Sequence, residues 1–389
     1  MIDLWQHPYC FEEQSQVSSP ALIYYPDILQ QNLAQVLTDA DGAKRLWPHV
    51  KSHKMAALIR MQLEAGIQRF KCATLAEAGL AASCGAEHVL LAYPLVGPAI
   101  AGFLRLAASY PSTCFWAIGD NLATLEELGR TAAGCGQTVP VLVDVNPGMN
   151  RTGVLCGQLP AFYQKASSLP GLSLRGIHYY DGNRTEKDFA ARKQAVLFAE
   201  ETLHRMSEAI RANGFCCDTA VLGGSPTMSC YRGLLEHYPH AYLSPGTLFV
   251  YDWGYSVKYP DLAYTPAAAV LTRVISHPAP GYFTLDLGYK AISTDQPGSS
   301  GLLLSVPYAR EAFQSEEHWT FCMEEGHEDK RPALGSELFV LPTHICSTTA
   351  LYSSVITVKQ HHLCGQWDVT ARDRGSALYQ KGDSYEQHL

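Results

Sequence analysis

The segment Trp47-Pro48-His49-Val50-Lys51-Ser52-His53-Lys54 sets two imidazoles and a second amine around Lys51. A lysine used for Schiff-base chemistry has to be held rigidly, partly desolvated, and beside groups that lower its pKa. His49, His53 and Lys54 can supply those conditions, although the same residues also suit a solvated basic loop ahead of a helix. Two glycine-bearing turns come late in the chain, Leu222-Gly223-Gly224-Ser225-Pro226-Thr227 and Leu243-Ser244-Pro245-Gly246-Thr247. Glycine lets backbone N–H groups approach a phosphate, and the start of a following helix adds a favourable dipole. A phosphate-bearing cofactor together with a reactive lysine points to pyridoxal phosphate.

A third motif is Pro342-Thr343-His344-Ile345-Cys346-Ser347-Thr348. In a strand, residues i and i+2 share a face, so His344 and Cys346 could chelate one ion. Nitrogen plus thiolate favours zinc, and two protein ligands leave positions for water and substrate. A buried cysteine beside a hydrogen-bonded histidine is the competing structural reading. Two further segments place polar groups after strand-like runs. One, Asp144 to Gly153, offers Arg151 to an anion or a ring oxygen. The other, Gly176 to Gly182, offers His178, Tyr179, Tyr180 and Asp181. Barrel packing would account for either equally well.

Something must hold these groups together, and the chain alternates short apolar runs with helix-sized stretches from Pro20 to Tyr251. The strand-like runs are Ala21–Tyr24, Arg69–Ala73, His88–Ala92, Thr113–Ile118, Val139–Val145, Leu174–Tyr179, Ala220–Leu222 and Ala241–Leu243. Helical patterns lie between them, over Asp27–Leu37, Lys54–Ala65, Thr74–Cys84, Leu122–Ala133, Gln158–Ser168, Phe189–Asn213 and Thr227–Leu235. Such alternation predicts parallel βαβ units closed into an α/β fold of the (β/α)8 TIM-barrel type over residues 20–251. No Gly-x-Gly-x-x-Gly follows the first strand, which removes the main support for an open dinucleotide-binding sheet. Residues 255–389 carry short β-prone runs punctuated by Pro, Gly and Asp, and predict a mostly-β domain. Residues 1–19 are expected to pack with that domain.

The chain has 389 residues, and 47% are hydrophobic, enough for two cores. A formal net charge of −8 with scattered Lys and Arg gives no footprint for nucleic acid or an anionic membrane. The most apolar stretch, Val89 to Leu104, is broken by Pro94 and Pro98, and so does not read as a membrane span. Met1 to His7 has neither the basic start nor the apolar core of a signal peptide. Twelve cysteines spread through a long chain suit a reducing cytoplasm better than a disulfide scaffold.

In this order, the motifs resemble those of the metal-dependent D-threonine aldolase/D-serine dehydratase family of fold-type III pyridoxal phosphate enzymes, which share a barrel with alanine racemase. Ser19-Pro20-Ala21-Leu22 is similar to the family's Thr-Pro-Ala-Leu start, and Pro48 to Lys54 to its Pro-His-x-Lys-Thr-His-Lys signature. Further similarity lies in Leu90 to Pro94, Met149 to Gly153, Asp286 to Ala291 and Pro342 to Cys346. The resemblance implies that Lys51 carries the cofactor as its Schiff-base lysine, with His49 close by. Gly223, Gly224, Ser225, Gly246 and Thr247 would surround the phosphate, and Arg151 and Tyr180 would flank the ring. His344 and Cys346 would hold a divalent metal, zinc first, with manganese or magnesium as alternatives. Lys51, His53, His178 and Tyr180 are the catalytic candidates that follow. Family members are typically homodimers, so the protein is expected to be a cytoplasmic dimer acting on a small D-amino acid.

Departures from the family pattern narrow the expected reaction. Aldolases of the family tend to carry Asp at the second metal position and dehydratases Cys, so Cys346 favours elimination from D-serine, D-threonine or 3-hydroxyaspartate. The aldolases' Tyr-His-Gly turn, followed closely by another histidine, is replaced by Tyr180-Asp181-Gly182-Asn183-Arg184. Retro-aldol cleavage to glycine and an aldehyde is the alternative. An amino-acid racemase and a non-catalytic pyridoxal phosphate-binding protein are the remaining ones.

Overall fold

The computed structural model describes residues 8–374. Met1 to His7, on which the leader reading rested and which form part of the segment expected to pack with the β domain, lie outside the described residues, as do residues 375–389. Backbone contacts divide the described chain into two units. One comprises residues 37–51 and 56–246, the other residues 8–36, 52–55 and 247–372.

The first unit is built on a parallel sheet. Its strands run in chain order as Arg69–Cys72, His88–Leu91, Cys114–Gly119, Val139–Asn146, Leu172–Tyr179, Thr219–Leu222 and His240–Leu243. The sheet's two edges are joined by the segment from Leu46 to His49. Leu46 bridges Leu243 of the last strand, and His49 bridges Lys71 of the first, both in parallel sense. Side chains from this ring fill its interior: Trp47, Leu90, Ile118, Leu142 and Val221 form one buried cluster. The Trp47 indole donates to the Phe70 carbonyl at 2.8 Å and meets Trp116 and Tyr242 edge-on. Each large apolar side chain so buried contributes roughly 1.5–3 kcal/mol.

The helices between these strands start where local chemistry tells them to. Thr74 caps Leu75–Ser83 by accepting from Glu77 N–H, and the Glu77 carboxylate accepts in return from Ala73 N–H. Asn121 and Asp188 likewise accept from first-turn N–H groups of Leu122–Gly134 and Phe189–Ala212. The helix Pro98–Ser109 was not expected from the sequence, because Pro94 and Pro98 read as breaks. Pro98 instead occupies the first helical position, where its missing N–H costs nothing.

The second unit is an antiparallel sheet with one parallel pair. Its main path runs Ala309–Gln314, Trp319–Met323, Tyr282–Leu285, Ala268–Ser276, Ala21–Tyr24, Ser354–Lys359, His362–Asp368. Glu337–Pro342 pairs with Ala268–Ser276 and with Gly301–Leu303. The expectation that Ala21–Tyr24 opens the barrel is corrected here: it lies mid-sheet, antiparallel to Ala268–Ser276 and parallel to Ser354–Lys359. All four of its residues are buried, so its pattern could not distinguish a barrel strand from the centre of another sheet. The barrel's first position falls instead to Leu46–His49, too short and too close to Pro48 to read as a strand.

Candidate active site

Lys51 sits on the single turn Val50–Ser52, directly after the segment that closes the barrel. His49 is fixed on both sides: its N–H donates to the Pro245 carbonyl at 2.8 Å, and its Nδ1 accepts from Lys51 N–H at 3.2 Å. The Lys51 Nζ lies 5.6 Å from the centre of the Tyr180 ring. Around the same ring stand Lys71 Nζ, at 5.6 Å, and the Arg151 guanidinium, at 4.9 Å. Three cations therefore converge on one phenol.

Lys71 was missed by the sequence reading. It is the third residue of Arg69–Cys72, its side chain is buried, and burial together with the Lys51 charge brings its pKa down to about 7. The available signal was a lysine between the apolar neighbours Phe70 and Cys72 in a strand buried on both faces, where a charge needs a purpose. Asp144 and Asp181 oppose these cations. Asp144 Oδ1 lies 2.7 Å from His178 Nδ1. Burial works to raise the Asp144 pKa, but the bonds from His178 and Thr152 carry it below the usual range. Burial lowers the His178 pKa despite the carboxylate. An ionised Asp144 accepts from Nδ1–H of a neutral His178, which leaves Nε2 as the ring's lone-pair nitrogen. That nitrogen is buried and has no hydrogen-bond partner among the described residues. Asp181 is buried too, accepts from Thr227 Oγ1 at 2.8 Å and Tyr231 OH at 2.9 Å, and has its pKa raised by burial.

The two glycine turns meet. Gly246 N–H donates to Ser225 Oγ at 3.0 Å, and Gly224 N–H to Thr227 Oγ1 at 3.1 Å. Gly223 has φ +71°, and a Cβ there would stand 2.8 Å from the Tyr231 ring. A Cβ on Gly224 would stand 2.9 Å from the Tyr180 ring. Glycine is thus required at both for the backbone to run this close. The helix expected over Thr227–Leu235 is corrected to two short 3₁₀ turns, Met228–Tyr231 and Leu235–His237. The turns therefore depend on their backbone and hydroxyl groups, without a helix dipole. A surplus of cationic side chains, an unpartnered buried imidazole nitrogen and a side-chain-free backbone cradle fit a phosphorylated aromatic cofactor.

The second unit holds the remaining candidates. His344 and Cys346 do not lie in a strand as expected: the strand Glu337–Pro342 ends before them, and His344 immediately precedes the short helix Ile345–Thr349. His344 Nδ1 is 2.6 Å from Asp295 Oδ2, and Ser347 Oγ reaches both groups at 3.2 Å. With Nδ1 so engaged, Nε2 is the nitrogen left to bind an ion, in the carboxylate–histidine arrangement that orients metal ligands. Cys346 Sγ lies 3.4 Å from Thr247 Oγ1, so Thr247 neighbours the thiol. Asp252 accepts from Ile345 N–H at 3.1 Å and fixes the start of this helix. A half-buried imidazole and thiol with a supporting carboxylate fit a divalent, zinc-like ion.

The structure gives His53 a different setting from the acid/base part expected of it. It is 1% exposed, its Nδ1 accepts from Met55 N–H at 3.2 Å, and burial with the Lys54 charge brings its pKa down to about 3. A histidine whose folded pKa is depressed leaves the unfolded chain binding more protons, so stability falls as pH drops from about 6.5 towards 3. Replacing His53 by Gln is expected to remove about 2 kcal/mol of the stability difference between pH 7 and pH 5, measured by urea denaturation at both values.

Comparison with known proteins extends this picture. Residues 26–251 match the family model described as alanine racemase, N-terminal domain, and residues 267–358 match a putative serine dehydratase domain. The chain is 27% identical over 372 residues to a D-threonine aldolase of Arthrobacter sp, covering 92% of this chain and 93% of that protein. It is 25% identical over 362 residues to a D-threo-3-hydroxyaspartate dehydratase of Delftia sp. (strain HT23), covering 86% and 93%. Its fold is similar to the crystal structure of D-threonine aldolase from Filomicrobium marinum, with TM-score 0.83 and 26% identity over 92% of this chain and 96% of that one.

Proposed function

Because the chain belongs to the metal-dependent D-threonine aldolase/D-serine dehydratase family, built on an alanine racemase-type barrel, we propose that it is a pyridoxal phosphate- and divalent-metal-dependent lyase of D-β-hydroxy amino acids. Its favoured reaction is elimination to a 2-oxo acid and ammonia. The observation that carries this reading is the convergence of Lys51, Lys71 and Arg151 on Tyr180, in the same unit as the joined glycine turns. Cys346, in place of an aspartate, favours elimination over cleavage. We read the protein further as a cytoplasmic homodimer; among the described residues no helix is long and apolar enough to cross a membrane.

Pyridoxal phosphate, when bound, supplies an electron sink for the pair left at the substrate's Cα. Lys51 would anchor the coenzyme's aldehyde carbon. Residues 223–225 and 246–247 would hold its phosphate, with His49 fixing the Lys51 turn and Arg151 and Tyr180 bordering the ring. The Lys51 amine would also be the base that takes the substrate's Cα proton. His344 and Cys346 would hold the divalent ion, zinc by donor type, whose chemistry is to polarise the β-hydroxyl as a Lewis acid. Retro-aldol cleavage stands as the second reading because His178 Nε2 is a buried, unpartnered base able to take a hydroxyl proton.

The products decide between these readings. Incubation with D-serine, D-threonine and D-threo-3-hydroxyaspartate, with separate assays for ammonia, glycine and aldehyde, is expected to give ammonia and a keto acid. Glycine with an aldehyde would select cleavage instead. Appearance of the L-enantiomer alone would remove the lyase reading altogether.

A further inference from the structure

We propose that Glu200, His204 and His237 form a second divalent-metal site on the barrel unit, separate from His344 and Cys346. Glu200 and His204 are four residues apart on the helix Phe189–Ala212 and so lie on one face of it. His237 ends the short turn Leu235–His237, just before the strand His240–Leu243 begins. Ligand atoms from the three residues all lie within 4.8 Å of one another. Among the described residues this is the one place where three such groups converge. A tetrahedral zinc with bonds of about 2.1 Å sets its ligand atoms roughly 3.4 Å apart, within reach of small side-chain rotations here.

The polar bookkeeping of the cluster is what calls for an ion. The Glu200 side chain is 0% exposed. One of its oxygens lies 2.8 Å from His237 Nδ1, while the other is buried with no hydrogen-bond partner among the described residues. His204 Nδ1 is likewise buried with no partner among them. The two imidazoles stack, with centroids 4.6 Å apart and planes at 28°. His237 answers only one of the carboxylate oxygens, and no group among the described residues answers the other. One divalent cation satisfies the orphaned oxygen and the orphaned nitrogen together. Two histidines and a carboxylate form a zinc-type donor set, and a half-exposed His237 leaves a fourth position for water. His237 precedes its strand, whereas the glycine turn at Ser244 follows it, so the ion would stand at the opposite end of that strand from the turns. Its part is then to fasten the 24-residue helix to the approach of the last barrel strand.

The test separates this site from the one proposed for catalysis. Untagged full-length protein carrying His344→Ala and Cys346→Ala is dialysed against zinc and then against metal-free buffer, and its zinc is counted by mass spectrometry. It is expected to retain one zinc per chain, and to lose it when His204→Gln and His237→Gln are added. A His344→Ala/Cys346→Ala protein with no zinc, or equal zinc in the two proteins, would overturn the proposal. Thermal unfolding gives a second measurement that does not depend on the doubly altered cluster folding well. With zinc about 100-fold above its Kd, the melting temperature should rise by about 3 °C or more in the His344→Ala/Cys346→Ala protein. That rise should disappear with His237→Gln alone, a change at a part-exposed side chain. A rise that survives His237→Gln counts against the site.

Discussion

Lys51→Ala protein is expected to lose turnover of every D-β-hydroxy amino acid by about 10³-fold or more, whichever bond the native enzyme breaks. On the proposed reading two tasks fall on that one amine, anchoring the coenzyme and moving the Cα proton, and no neighbour takes over both. Lys71 is as close to the Tyr180 ring as Lys51, but it projects from a strand interior and is buried, whereas Lys51 stands on a turn and is partly exposed. Borohydride reduction of the native protein should fix pyridoxal on the peptide containing Lys51, as read by mass spectrometry. Label on the Lys71 peptide instead, with Lys51→Ala still active, would move the chemistry to the buried lysine and sink the assignment.

His344→Ala is expected to reduce elimination by about 10²-fold or more, an effect of the size a Lewis acid supplies when a poor leaving group must depart. Exchange of the Cα proton of D-alanine with deuterated water needs no β-hydroxyl, so NMR should find it nearly unchanged in the same variant. That contrast assigns the ion to the leaving group and Lys51 to the proton. Asp295 holds His344 Nδ1 at 2.6 Å, and Asp295→Asn should weaken metal binding by about 10–100-fold while leaving the ligands in place. If His344→Ala matched the native enzyme in elimination and ignored chelators, the metal would have no part in the reaction.

The sequence disclosed these sites unevenly, for physical reasons. Lys51 was readable from the histidines and second lysine clustered around it, and the glycine turns because each follows an apolar strand, where glycines needed for close backbone approach leave a mark in composition. His344 and Cys346 were readable as a pair but not as a geometry, since a five-residue helix is too short to impose a period on its pattern. Lys71, Asp144 and the free nitrogen of His178 depend on strands that are neighbours in space and distant in the chain. Their meaning emerges only when Asp144 is set beside His178 across the Val139–Asn146 and Leu172–Tyr179 pairing. The barrel's alternation was plain, yet its opening strand was assigned to the wrong segment. A four-residue run buried throughout carries no record of which sheet it joins.

That same run sets an order of events for a nascent polypeptide. Ala21–Tyr24 leaves a ribosome long before Ser354–Lys359, and Ile23 must wait for Ile356 to emerge before its parallel partner exists. Until then an apolar ribbon with open backbone edges is exposed, the kind of surface that invites misassociation or a chaperone. Residues 56–246, by contrast, can pair strand with next strand as they appear. Synthesis therefore favours a parallel half completed first, and an antiparallel half joined through Ala21–Tyr24 only once Ser354–Lys359 has emerged.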